Sequence, residues 1–340
     1  MKSILYLTQR FRPHLEATSK EAYLLAKNFK GSIHDLHLDG YGKFRFNSKL
    51  FSYHFLYYAF GIIPLFFFSR NKVIHLYTSL CDRPYLPFFS NKKMIITSAN
   101  FVMKERIRKK IKHLTKVRKI IVQSELQKSE LLKAGIKEQQ IIVLYPPVEL
   151  RYFSYQEPSI KKFTILNASC PGKVKYLGKR GIYLLLEADP FLQNTKIKFL
   201  WRGGEYNLFK KKTRDKIFRN IEMENKIHTD MNFQYAQVHC TIIPYLQLDE
   251  NLKTMPTSAI ESLAAGKPVL VSSKTGIVDI IRKEKCGVVF EPTPGGLLEA
   301  VQEMKKNYST YQKNCRKTAE KYFSQEIFLK KHEEIYNSLS

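Results

Sequence analysis

Acidic residues are scarce against their counterparts: 30 Asp and Glu stand against 57 Lys and Arg, a formal charge of +27. Such a field recruits polyanions, whether nucleic acid, anionic lipid headgroups or phosphorylated small molecules, and restricts the partners without choosing one. Glycine and proline are also few, 15 and 14 in 340 residues, which argues against a fibrous or low-complexity architecture. The five cysteines, Cys81, Cys170, Cys240, Cys286 and Cys315, are scattered, odd in number and free of any CxxC or Cys/His cluster. Neither a disulfide framework nor a zinc site is expected, and a reducing compartment, the cytoplasm, is. The first apolar run, Ile4-Leu5-Tyr6-Leu7, is too short for a signal peptide and reads as a first strand. Internal repeats are not visible.

What is there is a globular chain, 44% hydrophobic and long enough for two cores. Short apolar runs alternate with amphipathic stretches, the pattern of strand–helix units and parallel sheets. Strands are expected at 3–7, 72–76, 93–97, 119–123 and 141–144, then at 163–168, 197–201, 240–244, 268–272 and 287–290. Helical periodicity fits 19–28, 125–134, 182–188, 258–265 and 297–306. Pro146-Pro147 and the polar stretch after it break the series. The expected domains are therefore 1–155 and 156–320, with a closing helix, 321–340, packed back toward the first. The fold class is α/β, two Rossmann-like domains, and such a pair leaves a cleft at the carboxyl ends of the strands, where ligands bind.

Two segments stand apart. Residues 51–69, FSYHFLYYAFGIIPLFFFS, are nearly all apolar, but Gly61, Pro64 and His54 interrupt them. A buried helix, an interfacial segment and a membrane span remain open for this stretch. Residues 102–119, VMKERIRKKIKHLTKVRK, place Ile107, Ile111 and Leu114 on one helical stripe amid cations. That pattern fits a basic amphipathic helix on an anionic membrane, or equally a solvated helix docked by its three apolar residues.

The strongest local signal is TMPTSAIESLAAGKPVLVSS, residues 254–273. Pro256 falls at a helix start and Gly266 just past its end, the expected asymmetry of those residues. The new amino end offers N–H groups and hydroxyls at Thr257 and Ser258, suited to a diphosphate. Glu261, about one turn further in, can accept hydrogen bonds from two adjacent ribose hydroxyls. Taken alone it reads more readily as a helix-surface residue or a dipole partner in the first turns.

The run Glu261-Ser262-Leu263-Ala264-Ala265-Gly266-Lys267-Pro268-Val269 closely resembles the donor signature of retaining family 4 glycosyltransferases, the group 1 transferases of GT-B architecture. Other stretches are similar in the same order. They are Ile120–Ser124 with the following 134–150, Arg180-Gly181-Ile182, Ile242–Tyr245, Gly276 with Asp279, and the tail from Tyr322 to Tyr336. The resemblance implies two Rossmann-like domains facing across a cleft, a nucleotide-sugar co-substrate, no metal or other cofactor, and transfer with retention. It implies that Arg180 and Lys179 act catalytically with Glu261, and that Arg180 and Lys175 contact the diphosphate, alongside Lys173. Gly203 and Gly204, in the run Arg202-Gly203-Gly204-Glu205, would lie near the nucleoside, and Lys253 and Thr254 near the donor sugar. The acceptor would be a glycan or lipid-linked molecule on the cytoplasmic membrane face, as in polysaccharide or lipopolysaccharide synthesis, with an anionic membrane surface and no specific nucleic acid as partner.

The sequence departs from that pattern at four places. Lys253 occupies the first acidic position of the signature, with Asp249 and Glu250 nearby as substitutes, and Glu16-Ala17 replaces a Gly-Gly. Ser98 and Asn100 stand where a histidine is expected, and Ser169-Cys170 where a Gly-Arg is. Other readings are a catalytically degenerate relative, a nucleotide-sugar epimerase of the same architecture, and a polyanion-binding protein. The Glu261 signature favours transfer, and the basic clusters lack a recognisable nucleic-acid module.

Overall fold

Strands buried on both faces of a parallel sheet are built from short β-branched runs, and the Ile- and Val-rich runs of this chain form two such sheets. A computed structural model describes residues 3–8, 17–35, 73–80, 93–159, 161–168, 173–201, 203–213, 217–249 and 252–339. The aromatic segment 51–69 lies outside the described residues, as do Glu16, Cys81, Ser169, Cys170, Arg202 and Glu250.

The chain divides into two units: residues 1–146 with 249–252 and 328–340, and residues 147–248 with 253–327. The first holds strands β1 (Ile4–Thr8), β2 (Gly31–Asp35), β3 (Val73–Tyr77), β4 (Met94–Ser98), β5 (Lys119–Val122) and β6 (Ile141–Val143). They form one six-stranded sheet in the order β2-β1-β3-β4-β5-β6, parallel throughout. Its helices are α1 (Ala17–Asn28), α2 (Lys104–Arg108), α3 (Ile111–Leu114) and α4 (Glu125–Lys133). Alternate strand residues feed two cores, as the period of two requires. Leu5, Leu7, Ile74, Leu76 and Ile96 pack on one face, and Ile4, Tyr6, Val73, Tyr77 and Ile95 on the other.

The second unit holds β7 (Phe163–Asn167), β8 (Thr195–Leu200), β9 (Ile221–Glu224), β10 (Cys240–Ile243), β11 (Val269–Ser272) and β12 (Gly287–Phe290). Their order, β12-β11-β10-β7-β8-β9, is again parallel. The direction of winding reverses between β7 and β10, and the carboxyl ends of such a pair are where doubly wound sheets bind ligands. Around it lie α5 (Ile182–Ala188), α6 (Tyr206–Lys212), α7 (Met231–Ala236), α8 (Thr257–Ala264), α9 (Val278–Glu284), α10 (Pro294–Lys306) and α11 (Tyr308–Phe323). The last helix, α12 (Gln325–Asn337), starts in this unit. It then contributes Phe328, Ile335 and Tyr336, followed by Leu339, to the first unit's core.

Two expectations change. The break falls at Pro146–Pro147, not after residue 155, and the second unit continues to Ile327, not 320. Residues 147–155 are held by distant partners: the Val148 N–H donates to the Phe323 carbonyl at 2.7 Å, and the Arg316 guanidinium donates to the carbonyls of Leu150 and Phe153 at 3.2 and 2.7 Å. The basic stretch 102–119 is not one helix but two short ones, α2 and α3, separated at Lys109-Lys110. Val102, Ile107, Leu114 and Val117 are all buried in the core, with Ile111 packed against it. On a straight helix these five side chains would spread over about half the circumference at about 100° per residue; the break lets all of them reach the same core.

Candidate donor site

The site begins with α8, which follows β10 and leads into β11. Pro256 is its N-cap, with extended backbone and no side-chain cap. Pro256 has no N–H to satisfy, and its carbonyl accepts from Ala259 at 3.0 Å. The N–H groups of Thr257 and Ser258 therefore head the helix with no preceding intrahelical acceptor, where the dipole favours an anion. Both side chains are partly exposed. At the other end the Gly266 N–H bonds the Leu263 carbonyl at 3.0 Å and the Lys267 N–H bonds the Ser262 carbonyl at 2.8 Å. With Gly266 left-handed, this is a Schellman stop.

Lys267 is fully buried, its Nζ donating to the Gln156 carbonyl at 2.5 Å and lying 4.8 Å above the Tyr155 ring. Burial pulls its pKa down to about 8, against the opposing pull of the Glu157 carboxylate. Its role is to fasten residues 155–156 to the end of the helix.

Glu261 is partly buried one turn into α8. The Tyr235 hydroxyl on α7 lies 2.9 Å from Glu261 Oε2 and 3.1 Å from the Ser258 carbonyl oxygen. Tyr235 itself is fully buried, edge-on to Phe153 with ring centroids 6.1 Å apart. The Asp230 carboxylate caps its helix by accepting from the Phe233 N–H at 3.1 Å. Tyr235 escaped the sequence reading, because nothing local to Asn232-Phe233-Gln234-Tyr235 points to a partner 26 residues on.

The basic step resides on the turn before α5. Lys179 and Arg180 are partly buried there, and the Lys179 carbonyl accepts from the Leu246 N–H at 2.9 Å. Gly181 is left-handed, φ +70°, and so close to the chain after β10 that a Cβ would stand 1.7 Å from the Pro244 carbonyl oxygen. The turn carrying both cations is thus docked on the carboxyl end of β10, at the switch point. Lys175 is exposed on the preceding turn with its ammonium 5.0 Å over the Tyr176 ring, and Lys173 is exposed too.

Gly203 and Gly204 follow β8 with φ of +82° and +66°. The Gly203 N–H donates to Asn225 Oδ1 at 2.8 Å, and Glu205, directly after Gly204, accepts from the Val174 N–H at 2.7 Å. These bonds join the glycine loop to the segment after β9 and to the turn bearing Lys173 and Lys175. Thr254 is buried and its carbonyl accepts from the Gly276 N–H at 2.9 Å, while Lys253 is partly buried and Asp279 exposed. Asp249 groups with the first unit; there the Leu252 carbonyl accepts from the Phe101 N–H at 3.1 Å. Ser98, at the end of β4, is buried. Among the described residues no three His, Cys, Asp or Glu side chains gather as a metal site would require.

Residues 167–307 match the family model for Glycosyl transferases group 1, a span that runs from Asn167 through α10. Solved structures similar to the whole chain include a glycosyltransferase from Rickettsia africae ESF-5, with TM-score 0.76, 18% identity and coverage of 99% of this chain and 98% of that one. Anabaena HepE in complex with UDP and glucose gives TM-score 0.76 and 13% identity, covering 99% and 100%. The lipopolysaccharide outer core galactosyltransferase WaaB gives 0.70 and 14%, covering 99% of each chain. Comparison with curated protein sequences gives no match. The fold is that of the GT-B glycosyltransferases. With the matched domain, it supports an enzyme of the transferase class.

Proposed function

We propose that the chain transfers a sugar from a nucleotide-sugar donor to a glycan or lipid-linked acceptor, with retention at the anomeric carbon. The observation that carries this reading is α8: an open amino end at Thr257 and Ser258, with a carboxylate one turn in held by a buried tyrosine. The diphosphate rests on the two N–H groups and faces Lys179 and Arg180, with Lys175 as an outer cation. As the glycosidic bond breaks, negative charge grows on the leaving phosphate, and fixed cations and N–H donors stabilise it. Glu261 accepts from the ribose hydroxyls, the glycine loop at 203–204 borders the nucleoside, and Lys253 with Thr254 borders the sugar. The leaving phosphate takes the acceptor proton, so neither a protein nucleophile nor a metal takes part. The UDP and glucose in complex with HepE, and the description of WaaB as a lipopolysaccharide outer core galactosyltransferase, support a nucleotide-sugar donor and a glycan acceptor here. The first unit takes the acceptor.

Glu261→Ala is expected to weaken nucleotide-sugar binding tenfold or more, about 1.4 kcal/mol, while the unfolding midpoint of the ligand-free protein stays near wild type. Calorimetry with UDP-, GDP- and ADP-sugars measures it. Donor affinity unchanged by the substitution would remove the central argument, and no binding by wild type would favour the degenerate relative.

The acceptor's membrane is met at the surface of α2 and α3. Their apolar residues already lie in the core, while Arg106, Arg108, Lys109, Lys112 and Lys116 are exposed. Contact is therefore by charge alone, about 1 kcal/mol per basic residue near an anionic surface. Among the described residues no helix is long and apolar enough to cross a membrane. Reversing Arg106, Lys109 and Lys112 to Glu should weaken binding to phosphatidylserine vesicles at least tenfold, and 0.5 M salt should abolish it. Vesicle binding that survives both treatments would move the contact to residues 51–69.

A further inference from the structure

We infer that Tyr235 is the positioning residue for the Glu261 carboxylate, and through it sets the enzyme's preference for a ribose over a sugar without hydroxyls. The inference rests on the donor-site reading above. A carboxylate on a helix surface turns freely about its terminal bond, and a ligand that needs both adjacent hydroxyls accepted must fix that rotation on binding. Here the rotation is fixed beforehand. The Tyr235 hydroxyl stands 2.9 Å from Oε2, and its ring is fully buried against Phe153 on a helix whose amino end is capped by Asp230. The same hydroxyl lies 3.1 Å from the Ser258 carbonyl oxygen. It therefore ties Glu261 to one of the two residues whose N–H groups head the helix, and the ribose and diphosphate contacts are held in one frame.

A tyrosine that only filled space would serve as well as phenylalanine, and the two roles separate on the ligand. Tyr235→Phe keeps every ring carbon and removes only the hydroxyl. Binding of UDP, GDP and ADP, each beside its 2′,3′-dideoxy analogue, is measured by calorimetry on wild type, Tyr235→Phe and Glu261→Ala. For the nucleotide that wild type binds, Tyr235→Phe should weaken the ribose form at least fivefold and the dideoxy form less than twofold. Equal weakening of both forms, or of neither, overturns the inference. Glu261→Ala tells that failure from failure of the underlying reading. If Glu261→Ala leaves the ribose preference intact, Glu261 is not the ribose acceptor and the reading fails with the inference. If it erases the preference while Tyr235→Phe keeps it, only the inference falls.

Discussion

Gly181→Ala is expected to destabilise the second unit by about 3 to 5 kcal/mol, at the top of the range for single substitutions. Two effects combine. Gly181 sits at φ +70°, ψ 20°, where an alanine costs roughly 1 to 2 kcal/mol from contact with its own backbone. Its Cβ would also fall 1.7 Å from the Pro244 carbonyl oxygen and 2.6 Å from the carbonyl carbon. Backbone faces backbone, so no rotamer change relieves the overlap and one side must move. Moving the glycine side displaces α5, whose Ile182, Leu185 and Ala188 are fully buried. Moving the other side breaks the bond from the Leu246 N–H to the Lys179 carbonyl and shifts Tyr245, whose carbonyl accepts from Ser272 Oγ at 2.5 Å. The chain's one tryptophan, Trp201, is buried in this unit and stacked on Phe199 and Phe209, so its fluorescence in urea reports the loss. Gly203→Ala is the control. It shares a positive φ, +82°, but its Cβ would meet nothing within 4 Å, so only about 1 kcal/mol of backbone strain is expected. Equal midpoints for the two variants would mean that the Pro244 contact relaxes at no cost.

Helix α8 was legible in the sequence because the chemistry of a helix start and stop is local. Pro256, the small residues of α8, Gly266 and the valine run after Pro268 each act within a few residues. The central strands were legible for the same reason, being continuous apolar runs. The strands missed, β2 and β9, each form one edge of their sheet, whereas the opposite edges, β6 and β12, are apolar runs that the pattern did show. An edge strand has a ladder partner on one side only and need not be apolar on both faces; GSIHD and IEME accordingly carry little hydrophobic signal. The stretch 102–119 misled in the opposite way. Its charges suggested one continuous amphipathic helix, whereas the destination of Val102, Ile107, Leu114 and Val117 in a single core decided a broken one. The placement of 147–155 and the partner of Glu261 depend on Phe323, Arg316 and Tyr235, contacts that only the folded topology creates. The sequence could thus single out Glu261 as a candidate but not show that the Tyr235 hydroxyl meets it.

Acid should weaken the first unit in a window from about pH 6.5 down to about pH 4, by about 3 kcal/mol for His332 alone. His332, on α12, has a fully buried ring whose Nδ1 donates to the Phe328 carbonyl at 3.0 Å. Burial pushes its pKa down to about 4. His75, on β3, lies 5.6 Å away between ring centroids. Its Nδ1 is 2.7 Å from the Tyr336 hydroxyl and its Nε2 2.7 Å from Thr97 Oγ1. Burial first, and His332 second, hold His75 well below the ordinary histidine range. Tyr6 and Tyr77 complete the layer, their hydroxyls pushed up by burial and Tyr77 further by the Glu21 carboxylate. In the unfolded chain each histidine takes a proton near pH 6.5; folded, His332 takes one only near pH 4. Between those values the unfolded state binds more protons, so stability rises with pH, is fully present above 6.5 and is lost as pH falls toward 4. His332→Leu fills the buried position with an apolar side chain and removes one of the two titrations. Urea midpoints at pH 7 and pH 4.5, with hydrogen exchange of residues 328–337 corrected for its intrinsic rate, should show the acid loss cut by about half. An unchanged loss would place the acid sensitivity outside this pair. The polar layer would then act only as a fixed hydrogen-bond register between α12 and the sheet, in which His75 holds Tyr336 and Thr97 at once.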